Sequence, residues 1–200
     1  MVLLEQQKRY YNTKKVKSMI VLSGPSASGK TEVAKRLMQD HGIKRVITTT
    51  TRPMRKGEVD GVDYYFVSVE RFENMIKEGL FVEYTNYNGN YYGSLKSEIA
   101  DNKVIAIEPN GMRAYISLND PHIVVFYLDV CEKVRRERML QRGDSPENVE
   151  QRIKEDKVRF GKDNVPEVDV LVDSQNYNQE EVTEYIYRKY QKILNEREAK

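Results

Sequence analysis

Tryptophan is absent from this 200-residue chain, cysteine occurs once and histidine only twice. A single thiol, Cys131, cannot close an internal disulfide, so the fold must hold by packing and suits a reducing compartment. Cys131 itself is expected as a small apolar core residue. His41 and His122 stand far apart, near no cysteine cluster, which argues against a zinc site. No apolar run approaches the roughly 18 residues of a membrane span. Only "MVLL" precedes polar sequence at the start, so neither a secretory leader nor a membrane partner is expected, and a cytoplasmic location is. An excess of one charge is missing too. The 33 basic and 31 acidic residues leave a net charge of +2, which provides no footprint for nucleic-acid binding. Internal repeats and low-complexity segments are also lacking.

Apolar residues make up 39% of the chain and charged residues 32%, an ordinary profile for one folded domain. "MIVLSG" (19–24) reads as a buried strand ended by glycine. Helical spacing follows over 29–41, with Val33, Ala34, Leu37 and Met38, until His41-Gly42 stops it. Further strands are expected at 45–49, 63–67, 80–87, 90–94, 103–108, 122–129 and 168–173. Helices are expected at 69–78, 95–101, 110–118, 131–142, 147–162 and 179–196. The stripe Ile186, Tyr190, Ile193 and Leu194 would pack the last of these on the core. Apolar strands alternating with helices imply an α/β fold, a parallel sheet covered on both faces. The strands between 45 and 93 are closer together and more polar, and "YNGNYYG" (87–93) is a turn signal. They read as a small sheet-rich insertion. Residues 1–17, polar and basic, read as a flexible arm.

Gly24-Pro25-Ser26-Ala27-Ser28-Gly29-Lys30-Thr31 fits G-x-x-x-x-G-K-[ST] between the first strand and first helix. Small residues let backbone N–H groups turn inward around phosphate oxygens. Lys30 would bring positive charge to the β and γ phosphates of a nucleoside triphosphate, and the Thr31 hydroxyl would bind Mg²⁺ beside water and phosphate ligands. The motif does not name the acceptor. Downstream, Arg52 and Arg55 suit an anion because guanidinium binds it in a forked geometry. Tyr64, Glu83, Tyr91-Tyr92 and Ser94 follow. Together they suit a nucleoside monophosphate, with Glu83 accepting from the adjacent N1–H and N2–H donors of a guanine.

Thr50-Thr51-Arg52, Arg55, Gly57-Glu58 and Asp63-Tyr64 resemble the second signature of the guanylate kinase family, and the resemblance extends over about residues 19–195. It implies a P-loop core, a GMP-binding insertion and a helical lid. By position, Arg52, Arg55, Tyr64 and Tyr92 would bind the GMP phosphate, and Thr48, Glu83 and Ser94 the guanine. Glu58 joins them within the signature. "RERMLQRGDSPENVEQR" (136–152) resembles the lid, whose Arg138, Arg142 and Arg152 would stabilise the transferring phosphoryl group. Catalysis would then fall to Lys30, Arg52, Arg138, Arg142, Arg152 and Glu108. The implied division is a core of 18–44, 99–135 and 163–200, a GMP-binding subregion of 45–98 and a lid of about 136–162, within a domain of 18–200.

The chain also departs from the pattern. Pro53 directly follows Arg52, one position early. "VIAIEPNG" (104–111) has Ala106 and Glu108 where the family places two aspartates, and Asn110 where it places glutamine. The expected activity is ATP + GMP = ADP + GDP by direct in-line transfer, in a monomer or homodimer. The altered acidic edge leaves two alternatives: kinase action on a related acceptor such as dGMP or ribose 1,5-bisphosphate, or a non-catalytic guanylate kinase-like binding module.

Overall fold

The computed structural model describes residues 18–100, 102–161 and 164–199, so the expected arm at 1–17 lies outside the described residues. Strand β1 (Met19–Ser23) is buried at every position. A strand apolar on both faces belongs at the centre of a parallel sheet, and there it lies. The core sheet runs, in space, β2 (Lys44–Arg45), β7 (Lys103–Ala106), β1, β8 (Ile123–Asp129), β9 (Val170–Asp173). Every pairing in it is parallel.

Helices cover both faces. On one, α1 (Lys30–His41) and α6 (Gln179–Glu198) pack Val33, Leu37, Ile186 and Tyr190 against Ile20, Leu22 and Phe126. On the other, α3 (Pro109–Ser117) packs Met112 and Tyr115 against Met19, Val21 and Val125. The stripe expected on the last helix is therefore a core stripe. α4 (Glu132–Gln141) and α5 (Pro146–Arg159) form a helical hairpin sealed by Met139, Val149 and Ile153. Among the described residues no helix is long and apolar enough to cross a membrane.

The insertion is a second sheet, ordered β4 (Tyr65–Phe66), β3 (Thr49–Thr50), β6 (Asn90–Leu95), β5 (Phe81–Tyr87). Its own small core lies under α2 (Val69–Lys77), which Ser68 caps through the Arg71 N–H. Phe72 of α2 stacks on Phe81 at 4.4 Å and on Tyr91 at 5.1 Å between ring centroids. Gly93 is required here, because a Cβ would stand 2.8 Å from the Phe81 ring and 2.9 Å from the Glu83 carbonyl oxygen.

Three expectations are corrected. The strand expected at 45–49 is two: Lys44–Arg45 edges the core sheet and Thr49–Thr50 enters the second. The apolar run marks a path between sheets, with Val46 still bonded to the Val104 carbonyl at 3.0 Å. The helix expected at 95–101 is reduced to one 3₁₀ turn, Lys96–Glu98. Glu98 turns inward and accepts from the Ile47 N–H at 2.9 Å, the Tyr65 hydroxyl at 3.1 Å and Lys103 at 2.6 Å, which ties the turn to the sheets. Cys131 is exposed, at the N-cap of α4.

Because Phe72 is fully buried and is the centre of the insertion's core, Phe72→Ala should cost about 3–5 kcal/mol. Chemical denaturation should show that loss, and the second sheet should lose amide protection before the core sheet does.

Candidate active site

The loop between β1 and α1 is shaped by contact before any ligand. Gly24 has φ 144°, and a Cβ there would meet the Leu128 carbonyl oxygen at 2.5 Å. Ala27 sits at φ 60° and Gly29 at φ 100°. Gly29 is the N-cap of α1 and provides no side-chain cap, so the first turn keeps N–H groups for an anion. Lys30 Nζ lies across the loop. It donates to the Gly24 carbonyl, to the Pro25 carbonyl at 2.9 Å, and lies 3.5 Å from Ser28 Oγ. Burial lowers its pKa to about 8, against the raising fields of Asp156 and Glu108.

A cleft of about 890 Å³ opens between the second sheet and the end of β7. Thr48, Glu83, Tyr92, Ala106, Glu108 and Arg159 line it. Glu83 Oε1 accepts from the Ser94 N–H at 3.1 Å and the Ser94 hydroxyl at 2.8 Å. Ser94 is fully buried behind it. Burial holds the Glu83 carboxyl above its ordinary range, with the two Ser94 bonds pulling the other way.

Arg52 stands beside this cleft with its fork already organised. It donates to Glu58 at 2.7 Å and to the Pro53 carbonyl at 2.7 Å, and faces the rings of Tyr64 at 5.4 Å and Phe66 at 5.7 Å. Tyr64 and Tyr92 meet edge to face at 6.2 Å. Arg52, Glu58, Tyr64 and Tyr92 are thus one cluster. Within it Glu58 acts on the arginine and on the Arg55 N–H, which it accepts at 2.7 Å. The Arg55 side chain is exposed.

The lid arginines divide. Arg138 reaches the phosphate loop, donating to the Ala27 carbonyl at 3.3 Å and to the Ser174 carbonyl at 2.7 Å. Arg142, the C-cap of α4, pairs with Asp144 at 3.0 Å. Arg152 is exposed on α5, its charge felt by Asp144. Glu108 is the N-cap of α3 and pairs with Arg159 at 3.0 Å. Arg159, and the buried pair Arg135 and Asp156, escaped the sequence reading. One signal was there: Asp156 falls three residues after Ile153 on the apolar stripe of α5, and Arg135 four before Met139 on that of α4.

Comparison with known proteins identifies the family. Residues 16–194 match the family model described as Guanylate kinase. The guanylate kinase of Symbiobacterium thermophilum is 37% identical over 145 residues, 68% of this chain and 69% of that protein. That of Streptococcus agalactiae is 41% identical over 144 residues, again 68% and 69%. A solved guanylate kinase from Anaplasma phagocytophilum superposes with a TM-score of 0.59 at 24% identity, covering 88% of this chain and 85% of that one. An uncharacterized protein from Eubacterium ventriosum gives a TM-score of 0.51 at 15% identity, covering 88% and 99%. At such identities the two structures speak for the fold alone. By sequence and by fold, with a phosphate loop at the end of β1 and a carboxylate-lined cleft at the end of β7, this chain belongs to the guanylate kinase family.

Proposed function

We propose that the chain transfers the γ-phosphoryl group of ATP to GMP, giving ADP and GDP. One observation carries the choice of acceptor: the Glu83 carboxylate, oriented by Ser94 from behind, lines the cleft that runs to the C-terminal end of the core sheet. A carboxylate so held accepts two adjacent N–H donors, which guanine offers and adenine does not. Thr48 beside it would complete the base contacts. Arg52, braced by Glu58 and backed by Tyr64 and Tyr92, would take the GMP phosphate, with Arg55 joining from the same loop.

On the donor side, the backbone of residues 24–31 would cradle the phosphates of ATP. Lys30 would exchange its carbonyl partners for phosphate oxygens. Thr31 lies on the first turn of α1, a neutral hard oxygen that fits Mg²⁺ held mostly by water and phosphate. The metal, when bound there, would neutralise charge on the β and γ phosphates. An oxygen of the GMP phosphate forms the new bond to the γ phosphorus as the bond to the β–γ bridging oxygen breaks, and that oxygen leaves with ADP. Lys30 and Arg138 absorb the charge that spreads over the transferring group, and Arg142 and Arg152 would add to it when the lid lies over the site. Glu108 would act at the acidic edge. The division into core, acceptor subregion 45–98 and lid of about 136–162 is part of the same proposal.

The test is release of ADP from Mg-ATP with GMP, dGMP, AMP, UMP or ribose 1,5-bisphosphate offered singly. Turnover with GMP and none with AMP or UMP is expected. Turnover confined to ribose 1,5-bisphosphate would overturn the acceptor, and GMP binding without turnover on any substrate would make this a binding module. EDTA should stop ADP release while calorimetry still detects GMP.

Glu83→Gln should raise the KM for GMP roughly ten- to a hundredfold, since hydrogen bonds to a charged group contribute about 1.5–3 kcal/mol. The KM for ATP should stay put. Stability moves the other way. A carboxyl whose pKa is raised by folding costs stability while ionised, and the cost vanishes as pH falls through that pKa. The variant should therefore melt above the native protein near neutral pH, with the gap closing on acidification.

A further inference from the structure

The phosphate loop is held from outside by a buried carboxylate. The Ser26 N–H donates to Asp156 Oδ2 at 2.9 Å, and the Ser26 hydroxyl lies 3.2 Å from Oδ1. The two residues are 130 apart in sequence. Arg135, across the helical hairpin, reaches the same Asp156 Oδ2 at 2.6 Å. Asp156 is 5% exposed and Arg135 6%.

Stability alone does not account for such a pair. Removing two charges from water is costly, and apolar residues of similar volume often serve as well or better. Among the described residues Arg135 Nε finds no partner, so the pair is not even fully satisfied. What sets it apart is the work of the carboxylate beyond Arg135, the capture of two donors from one loop residue. The neighbouring contacts point the same way. Ala27 packs on Met139, Val149 and Ile153 of the hairpin, and its carbonyl accepts from Arg138. Two consecutive loop residues are therefore seated on α4 and α5.

We propose that Asp156, held by Arg135, is a positioning residue for the donor nucleotide. It holds the Ser26 N–H on the hairpin and so fixes where the loop residues that lead into α1 begin. The phosphate cradle is then built in part by the lid hairpin. This rests on the reading that the loop holds ATP. Misplacement of a reacting group by about 1 Å can cost a hundredfold in rate, so a loop freed at Ser26 should hold the donor badly while the acceptor cleft is untouched.

The experiment compares the native chain with R135M/D156L and R135M/D156N. The first double variant replaces the pair by apolar side chains. The second keeps an amide oxygen for the Ser26 N–H without leaving a buried charge unpaired. In R135M/D156L the KM for ATP should rise about tenfold or more, with weaker ATP binding by calorimetry. The KM for GMP should stay at its native value, and the melting temperature should not fall below the native one. R135M/D156N should recover most of the ATP affinity. A folded R135M/D156L with native ATP affinity would overturn the proposal, as would failure of R135M/D156N to improve on it. Should R135M/D156L not fold, amide exchange in the native protein decides: slow exchange at Ser26 supports the anchor and unprotected exchange removes it. A native chain that binds no ATP would instead sink the reading of the loop, and the anchor's role with it.

Discussion

The close approach of Gly24 to Leu128 is the constraint from which the donor site follows. A backbone path that leaves no room for a Cβ must begin where β1 ends and press against β8. Parallel pairing does the rest. Leu22 is in register with Ala106 on one side and Phe126 on the other. Three strand ends therefore open at one rim, where ligands of open parallel sheets bind. Ser23 closes the gap between two of them, donating its hydroxyl to the Ile107 carbonyl at 3.0 Å. This is why Glu108, far from Lys30 in sequence, contributes to the field at its ammonium group.

The acceptor site needs the second sheet to stand in a fixed relation to that rim, and one buried carboxylate does much of this. The chain crosses out of the core sheet between Arg45 and Thr49 and returns between Leu95 and Lys103. Glu98 binds both crossings at once, through the Ile47 N–H and Lys103, and adds Tyr65 from the second sheet. Burial alone would raise its pKa, but the Ile47 N–H and Lys103 hold it below the ordinary range. Ionised Glu98 is thus a stabilising anchor between the two sheets.

What could be read in the sequence divides along range of interaction. The phosphate loop is eight consecutive residues whose geometry is local, so pattern and chemistry reach it directly. Glu83 and Ser94 belong to one hairpin, and the family resemblance points to them by position, outside the signature itself. The split of the expected 45–49 strand was hidden because periodicity says that a residue is extended, not which sheet it joins. The lost helix after Leu95 was hidden because local preference could not foresee a carboxylate with three partners. Cys131 was expected inside on composition alone, yet its place is a helix cap. The pairs Glu108–Arg159 and Ser26–Asp156 join residues 51 and 130 apart. Charge complementarity over such spans has no local trace beyond an ion standing on an apolar stripe.

The departure at the acidic edge can be weighed by magnitude. Ala106 contributes no charge to the cleft it lines, and Glu108 is tied to Arg159. In that pair the Glu108 side chain is 67% exposed and the Arg159 side chain 44%. An ion pair so open to water contributes about 0–1 kcal/mol. Its loss is small beside a charge-assisted bond to a bound nucleotide, about 1.5–3 kcal/mol. Glu108 is therefore a movable carboxylate and not a locked one. The missing charge at position 106 removes one fixed point from the edge, while the longer side chain at 108 keeps the reach to serve it. Arg159, once released, leaves a further guanidinium in the cleft that Glu83 lines.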